Sequence, residues 1–197
     1  MRTVLVAATL AATLAPAAAA AQTFTFDGLP VETTVTPFSS TVGGLTATFT
    51  AANPATGGFT VFDVGPDARP GVSGNALVQP SGVGALLVAF SRPLTNVGFS
   101  FATNGPTAVT LLLFSGAAQV GSATFVSAST PGFFLEGGTA ALGFGPGFDR
   151  ISISTAGPQT QFLVDNVAAT VIPEPGTWAL VGAGLAVVAA ARRRRAA

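Results

Sequence analysis

From Gln22 to Thr170 apolar and polar residues alternate with a period of two, in short runs bounded by clusters of Gly, Pro, Asn and Ser. Side chains that alternate in this way point to opposite faces of an extended chain, so the pattern predicts half-buried antiparallel strands. Leu45, Ala47 and Phe49 share one face of such a strand. Val97, Phe99 and Phe101 share one face of another, opposite Asn96, Gly98, Ser100 and Ala102. Further strands are expected near Thr23–Phe26, Phe59–Phe62, Asn75–Val78, Ala85–Phe90, Ala108–Phe114, Gln119–Val126, Phe148–Ser154 and Gln161–Ala169. No helical period of any length interrupts them.

Ten or so strands, spaced close to the roughly 8–12 residues usual in sandwiches, predict an all-β fold. The expected architecture is an antiparallel β-sandwich, jelly-roll-like or a related Greek key. Asn104-Gly105-Pro106 and Gly145-Pro146-Gly147 are the clearest turn signals between strands. Val64–Ser73 and Ser127–Gly145 are less regular and read as long connections crossing between sheets, or as binding loops.

The two ends break the alternation. Arg2 precedes an apolar run from Val4 to Leu14, then Pro16 and an alanine tract closing on Ala19-Ala20-Ala21. This is the order of a cleavable secretion signal, with helical residues 1–21 and a new N-terminus at Gln22, or one or two residues earlier. At the other end Pro173-Glu174-Pro175 ends the strand pattern, because proline donates no ladder hydrogen bond and restricts its predecessor. An almost wholly apolar stretch follows to Ala191, and then Arg192, Arg193, Arg194 and Arg195.

A helix from Pro175 to Ala191 would reach roughly 25 Å, near the lower limit for spanning a bilayer core of about 30 Å. Trp178 suits the outer headgroup zone, and the four arginines suit the inner face as a positive-inside flank. The expected division is therefore residues 1–21 as signal, 22–172 as an extracellular β domain and 173–197 as a C-terminal sorting and anchoring segment.

Pro173, Glu174 and Pro175, the apolar helix and the arginine cluster together resemble the PEP-CTERM family. The resemblance implies that an exosortase, an integral-membrane cysteine protease, is the partner that cleaves near the motif. It also implies a membrane-anchored precursor that ends at the cell surface or in an exopolysaccharide matrix. Separately, Phe148-Asp149-Arg150-Ile151-Ser152-Ile153 and Phe162-Leu163-Val164-Asp165-Asn166-Val167 resemble the last two strands of carbohydrate-binding jelly rolls.

Charge adds one exclusion. The chain is formally neutral, but without the leader and tail the body keeps seven acids against Arg69, Arg92 and Arg150. A mildly acidic body lacks the basic face that nucleic acid requires.

Composition removes most site chemistry. With no Cys and no His, a Ser-His-Asp or Cys-His site is impossible, as are the usual zinc and iron ligand sets, and no disulfide staples the domain. Only oxygen chemistry remains. Asp27, Glu32, Asp63, Asp67, Glu136, Asp149 and Asp165 are the carboxylates from which a glycoside hydrolase pair could be drawn, but no motif joins them. No catalytic residue and no organic cofactor is expected. Calcium is the one metal such oxygens suit, with Asp27 and Asp165 as first ligands; the plainer alternative is that Asp165 and Asn166 satisfy backbone groups at a strand end. The body holds Phe but neither Trp nor Tyr, which weakens aromatic stacking on sugars. A matrix protein therefore ranks ahead of a carbohydrate-binding or adhesive module, and both rank ahead of a carboxylate hydrolase.

Overall fold

The computed structural model describes residues 20–32, 34–35, 37–52, 58–69, 71–79, 84–129, 135–156 and 162–172, with scattered helical residues between 182 and 193. The strands in chain order are β1 (Gln22–Phe24), β2 (Thr34–Val35), β3 (Phe38–Val42), β4 (Leu45–Ala51), β5 (Phe59–Arg69) and β6 (Val72–Gln79). They continue as β7 (Ala85–Thr103), β8 (Ala108–Ser115), β9 (Ala118–Val126), β10 (Glu136–Thr155) and β11 (Phe162–Val171). Every pairing between them is antiparallel.

Two long strands organise the rest. The first part of β7 (85–90) pairs with β4 on one side and with the end of β10 on the other. Its second part (94–103) pairs with the start of β10 and with β11. One half of the fold thus runs β3-β4-β7-β10-β8-β9, and the other runs β2-β5-β6-β11-β7-β10, with β1 also against β11. The ladder between β7 and β10 loses register between Gly143 and Arg150, opposite the Pro93 region of β7. Prolines 93 and 146 donate no amide hydrogen there, so both strands can bend from one half into the other without leaving a donor unpaired.

The inner faces of the halves meet in one core. Leu45, Ala47, Phe49, Leu86, Val88, Leu111 and Ile151 come from one, and Phe59, Val61, Phe99, Phe101, Phe162 and Val164 from the other. Phe24 of β1 meets Phe49 of β4 edge-on, with ring centroids 6.2 Å apart. Each phenylalanine fully buried in this way contributes roughly 1.5–3 kcal/mol of apolar burial, which replaces covalent stapling in a chain without cysteine. A second, smaller cluster of Val72, Ala76, Val78, Ala102 and Leu163 lies on the other side of β6, β7 and β11.

Several sequence expectations are corrected. Gly145-Pro146-Gly147 is no turn between strands but the bend inside β10. The runs 85–90 and 97–101 belong to one strand, because the break at Arg92-Pro93 bends the chain without reversing it. Val64–Ser73 is largely paired: β5 continues to Arg69 and β6 begins at Val72, with register shifts after Asp63 and Gly65. Of Ser127–Gly145, the part from Glu136 is strand. β3 lacks the continuous apolar alternation that marks its neighbours: the hydroxyl pairs Ser39–Thr48 and Thr41–Thr46 lie between Phe38, stacked on Phe49, and Val42 opposite Leu45. The all-β antiparallel expectation stands.

Residues Ala20–Ile172 form one unit, and Met1–Ala19 with Pro173–Ala197 a second. Of the second, residues 182, 184–186, 188–189 and 192–193 are helical, with Arg192 and Arg193 exposed. Among the described residues no helix is long and apolar enough to cross a membrane. The signal segment up to Ala19, Pro173-Glu174-Pro175, Trp178, Arg194 and Arg195 lie outside the described residues.

Candidate functional site

β11 changes neighbours midway along its outer side. Phe162–Val164 pairs with Gln79–Leu77 of β6, and Val167–Ala169 pairs with Phe24–Gln22 of β1. β1 and β6 therefore lie end to end along one edge of β11, and Asp165 and Asn166 sit opposite the gap between them. There β11 bulges: its ladder to β7 shifts register between Asp165 and Ala168, and Asn166 takes a positive φ of 52°. Asparagine tolerates this left-handed geometry better than most residues, which accounts for its presence here.

Carboxylates fill the gap. Asp165 accepts the amides of Asn166 at 2.7 Å and Ser73 at 3.3 Å. Asp27, just beyond β1, accepts the Asn75 amide at 2.9 Å. The Asn75 side chain donates to the Leu29 carbonyl (2.9 Å), and the Asn166 side chain to the Gly71 carbonyl (2.9 Å) and to Asp165 (3.1 Å). Gly74, at φ +67°, leaves no room for a side chain, since a Cβ would strike the Asp27 carboxylate. Side-chain oxygens thus receive amide hydrogens where neither β1 nor β6 continues the ladder.

Asp165 is 2% exposed. Burial, the largest cause, together with the negative charge of Asp27, raises its pKa from 3.8 to about 6, against the lowering effect of the Asn166 and Ser73 amides. Above it opens a shallow cleft of about 470 Å³ lined by Asp27, Asp63, Gly65, Ser73 and Gly74. Asp63 accepts the Gly65 amide at 2.8 Å. Asp165 does not line this cleft.

The sequence candidates are partly brought together. Asp27 and Asp165 meet around residues 71–75, as the proposed calcium pair requires, but Asp165 and Asn166 lie in a mid-strand bulge and not at a strand end. Among the described residues, no group of three or more carboxylates is placed to hold a metal ion. Three main-chain amides and the Asn166 side-chain amide already bind the two carboxylates, whereas calcium takes six to eight oxygens, so this donor set fits a turn anchor better than an ion site. Asp149 instead serves the β8–β9 hairpin: it accepts the Gly116 amide at 3.1 Å, and Arg150 donates to the Gly116 carbonyl at 2.6 Å while stacking over Phe114. Glu32 lies in the turn before β2, Glu136 opens β10 and Asp67 falls within β5. Sequence reading missed Asp63 as a neighbour of Asp27. It also missed Asn75, whose only signal was a polar residue at a strand start.

Residues 171–195 match the family model of the PEP-CTERM protein-sorting motif. The chain carries that motif, which includes Pro173, Glu174 and Pro175. No curated protein sequence matches the chain. Among solved structures, a family 11 carbohydrate-binding module from Clostridium thermocellum, in complex with a β-1,3-1,4-mixed-linked tetrasaccharide, is 13% identical with a TM-score of 0.38; the match covers 80% of this chain and 99% of that one. A family 29 carbohydrate-binding module is 15% identical with a TM-score of 0.32, over 79% and 96% of the two chains. The enzymatically active domain of bacteriophage CBA120 tailspike protein 4 is 15% identical with a TM-score of 0.36 over 66% of this chain; the chain spans only 20% of that domain's length. These overlaps are loose and assign no ligand or activity here.

Proposed function

We propose that this chain is an exported surface protein, processed by an exosortase-type membrane protease at Pro173-Glu174-Pro175, whose β domain then resides in an exopolysaccharide matrix as a non-catalytic structural module. The observation that carries the reading is the sorting motif at residues 171–195, which begins where the last strand ends. The leader through Ala21 directs export. The apolar stretch to Ala191, with Trp178 and the arginine cluster as flanks, holds the precursor in the membrane until cleavage.

A polysaccharide partner is supported by the outer face of the half built on β3, β4, β8 and β9. Residues 93–135, which include β8 and β9, contain no charged side chain, and Arg150 of β10 lies in one row with Thr48, Ala89 and Phe114. Ser39 and Thr41 face Thr48 and Thr46 with hydroxyl oxygens 2.8 Å apart in both pairs. Across the sheet, Ser154, Thr110 and Thr124 fall in one register row, and Leu87, Ser152, Leu112 and Ser122 in the next. Such a face offers hydroxyls and small apolar patches, with the Arg150 guanidinium held at the Gly116 carbonyl, to a polymer with the same mixed character. This is also what favours the second reading, a carbohydrate-binding module.

Fractionation of cells that contain the protease tests the proposal. Wild-type protein should be found outside, shortened by the mass of the tail. With Pro173, Glu174 and Pro175 replaced by alanine, full-length protein should accumulate in the membrane; equal shortening and release of the two forms would refute the reading.

A further inference from the structure

The sorting segment and the folded domain share residues. The matched motif starts at Val171, and Val171 is also the final residue of β11, paired with Leu94 of β7. One residue further, the Ile172 amide donates to the Pro93 carbonyl at 3.0 Å. The Ile172 side chain lies against Gly147, where an added Cβ would collide with its Cδ1. Just upstream, the Thr95 hydroxyl donates to the Thr170 carbonyl at 3.3 Å. The stretch 170–172 is therefore tied down by main chain and side chain alike, and Pro173 follows by one peptide bond.

β11 as a whole cannot be surrendered. It lies between β7 on one side and β1 with β6 on the other, and Phe162, Val164, Val167 and Ala169 are buried in the core. Its last residues are different, being only half-buried. Strand ends open at far lower free energy than strand centres.

A protease takes its substrate as an extended chain whose main-chain amides bond to the enzyme, in the manner of an added strand. The Ile172 amide cannot donate to Pro93 and to a protease at once. The geometry points to a processing site in competition with the fold: the cut falls C-terminal to Ile172, and the end of β11 must fray at Val171 and Ile172 before the motif is engaged. This inference rests on the exosortase reading above. The step itself is an ordinary peptide cleavage: one C–N bond breaks, the carbonyl carbon takes the oxygen of water or the nitrogen of an acceptor amine, and the released amine takes the proton. The product keeps all of β11, so release does not cost the domain its core.

The test is a pulse-chase of the full-length protein in cells that contain the protease. One variant inserts Ser-Gly-Ser-Gly-Val-Ile between Ile172 and Pro173, so that a second, unpaired Val-Ile precedes the motif while the original pair stays in β11. A second variant replaces Pro173-Glu174-Pro175 with alanine. The inference predicts that the insertion shortens the processing half-time by roughly three- to tenfold, because the opening step is removed, while the alanine variant is not processed. An unchanged or longer half-time for the insertion, with the alanine variant still blocked, overturns the competition and leaves the sorting reading intact. Processing of the alanine variant at the wild-type rate overturns both.

Discussion

The Ser73 amide donates to the Asp165 carboxylate at 3.3 Å, joining the start of β6 to the bulge of β11 across 92 positions of sequence. Asp165 is buried, with its pKa raised from 3.8 to about 6, so the folded state holds this proton more tightly than the unfolded chain. The stability that its protonated form contributes is complete below about pH 4 and is lost as pH rises to about 6. At about 1.4 kcal/mol per pKa unit, the loss is on the order of 3 kcal/mol. Urea denaturation across this range should show stability falling with rising pH. Asp165→Asn, which retains an acceptor oxygen for Ser73, should flatten the slope; an unchanged slope would contradict the assignment.

Metal removal distinguishes a turn anchor from an ion site. If Asp27 and Asp165 only receive the amides of Ser73, Asn75 and Asn166, excess chelator leaves the melting temperature unchanged. A fall of several degrees on chelation, restored by calcium, would show that the pair holds an ion.

Asn166 carries the bulge at φ 52° and donates to Gly71 and Asp165. Asn166→Val adds left-handed strain and removes both side-chain bonds, and should destabilise by about 2–4 kcal/mol, whereas Asn166→Gly relieves the strain and should cost roughly half as much. Equal losses in the two variants, measured by denaturation, would show that the backbone conformation is not what the asparagine supports.

The hydroxyl face predicts a charge effect on binding. Thr48→Glu and Thr124→Glu place carboxylates among the hydroxyls of this face, and both should reduce retardation in gels containing hydroxyethylcellulose or dextran by roughly fivefold or more. Val31→Glu, at an exposed position outside the strands of that face, should not. Equal retardation of all four proteins would remove this face from consideration.

Alternation made the fold class readable, because residues such as Leu45, Ala47 and Phe49 each had to be buried and their neighbours did not. Strand identity was less accessible. Pro93 and Pro146 look like punctuation in sequence, yet both sit within long strands where a missing amide permits a bend instead of a turn. β3 was invisible because Ser39, Ser40 and Thr41 interrupt its apolar pattern and leave only Phe38 and Val42 against the core. The meeting of Asp27 with Asp165 was partly foreseeable from chemistry, but Asp63, Ser73 and Asn75 join them only because β1 and β6 abut along β11, a tertiary relation that no local pattern encodes. The sorting motif was fully legible, since Pro173-Glu174-Pro175, the apolar stretch and the arginine cluster follow one another in linear order and need no fold to be recognised.

The most direct test of the account is the intact mass of the wild-type protein recovered outside cells that carry the protease. The account predicts a chain that begins at Ala20, Ala21 or Gln22 and ends between Pro173 and Trp178, with β11 complete and the arginine cluster gone. Extracellular protein that still carries Arg192, Arg193, Arg194 and Arg195 would contradict it.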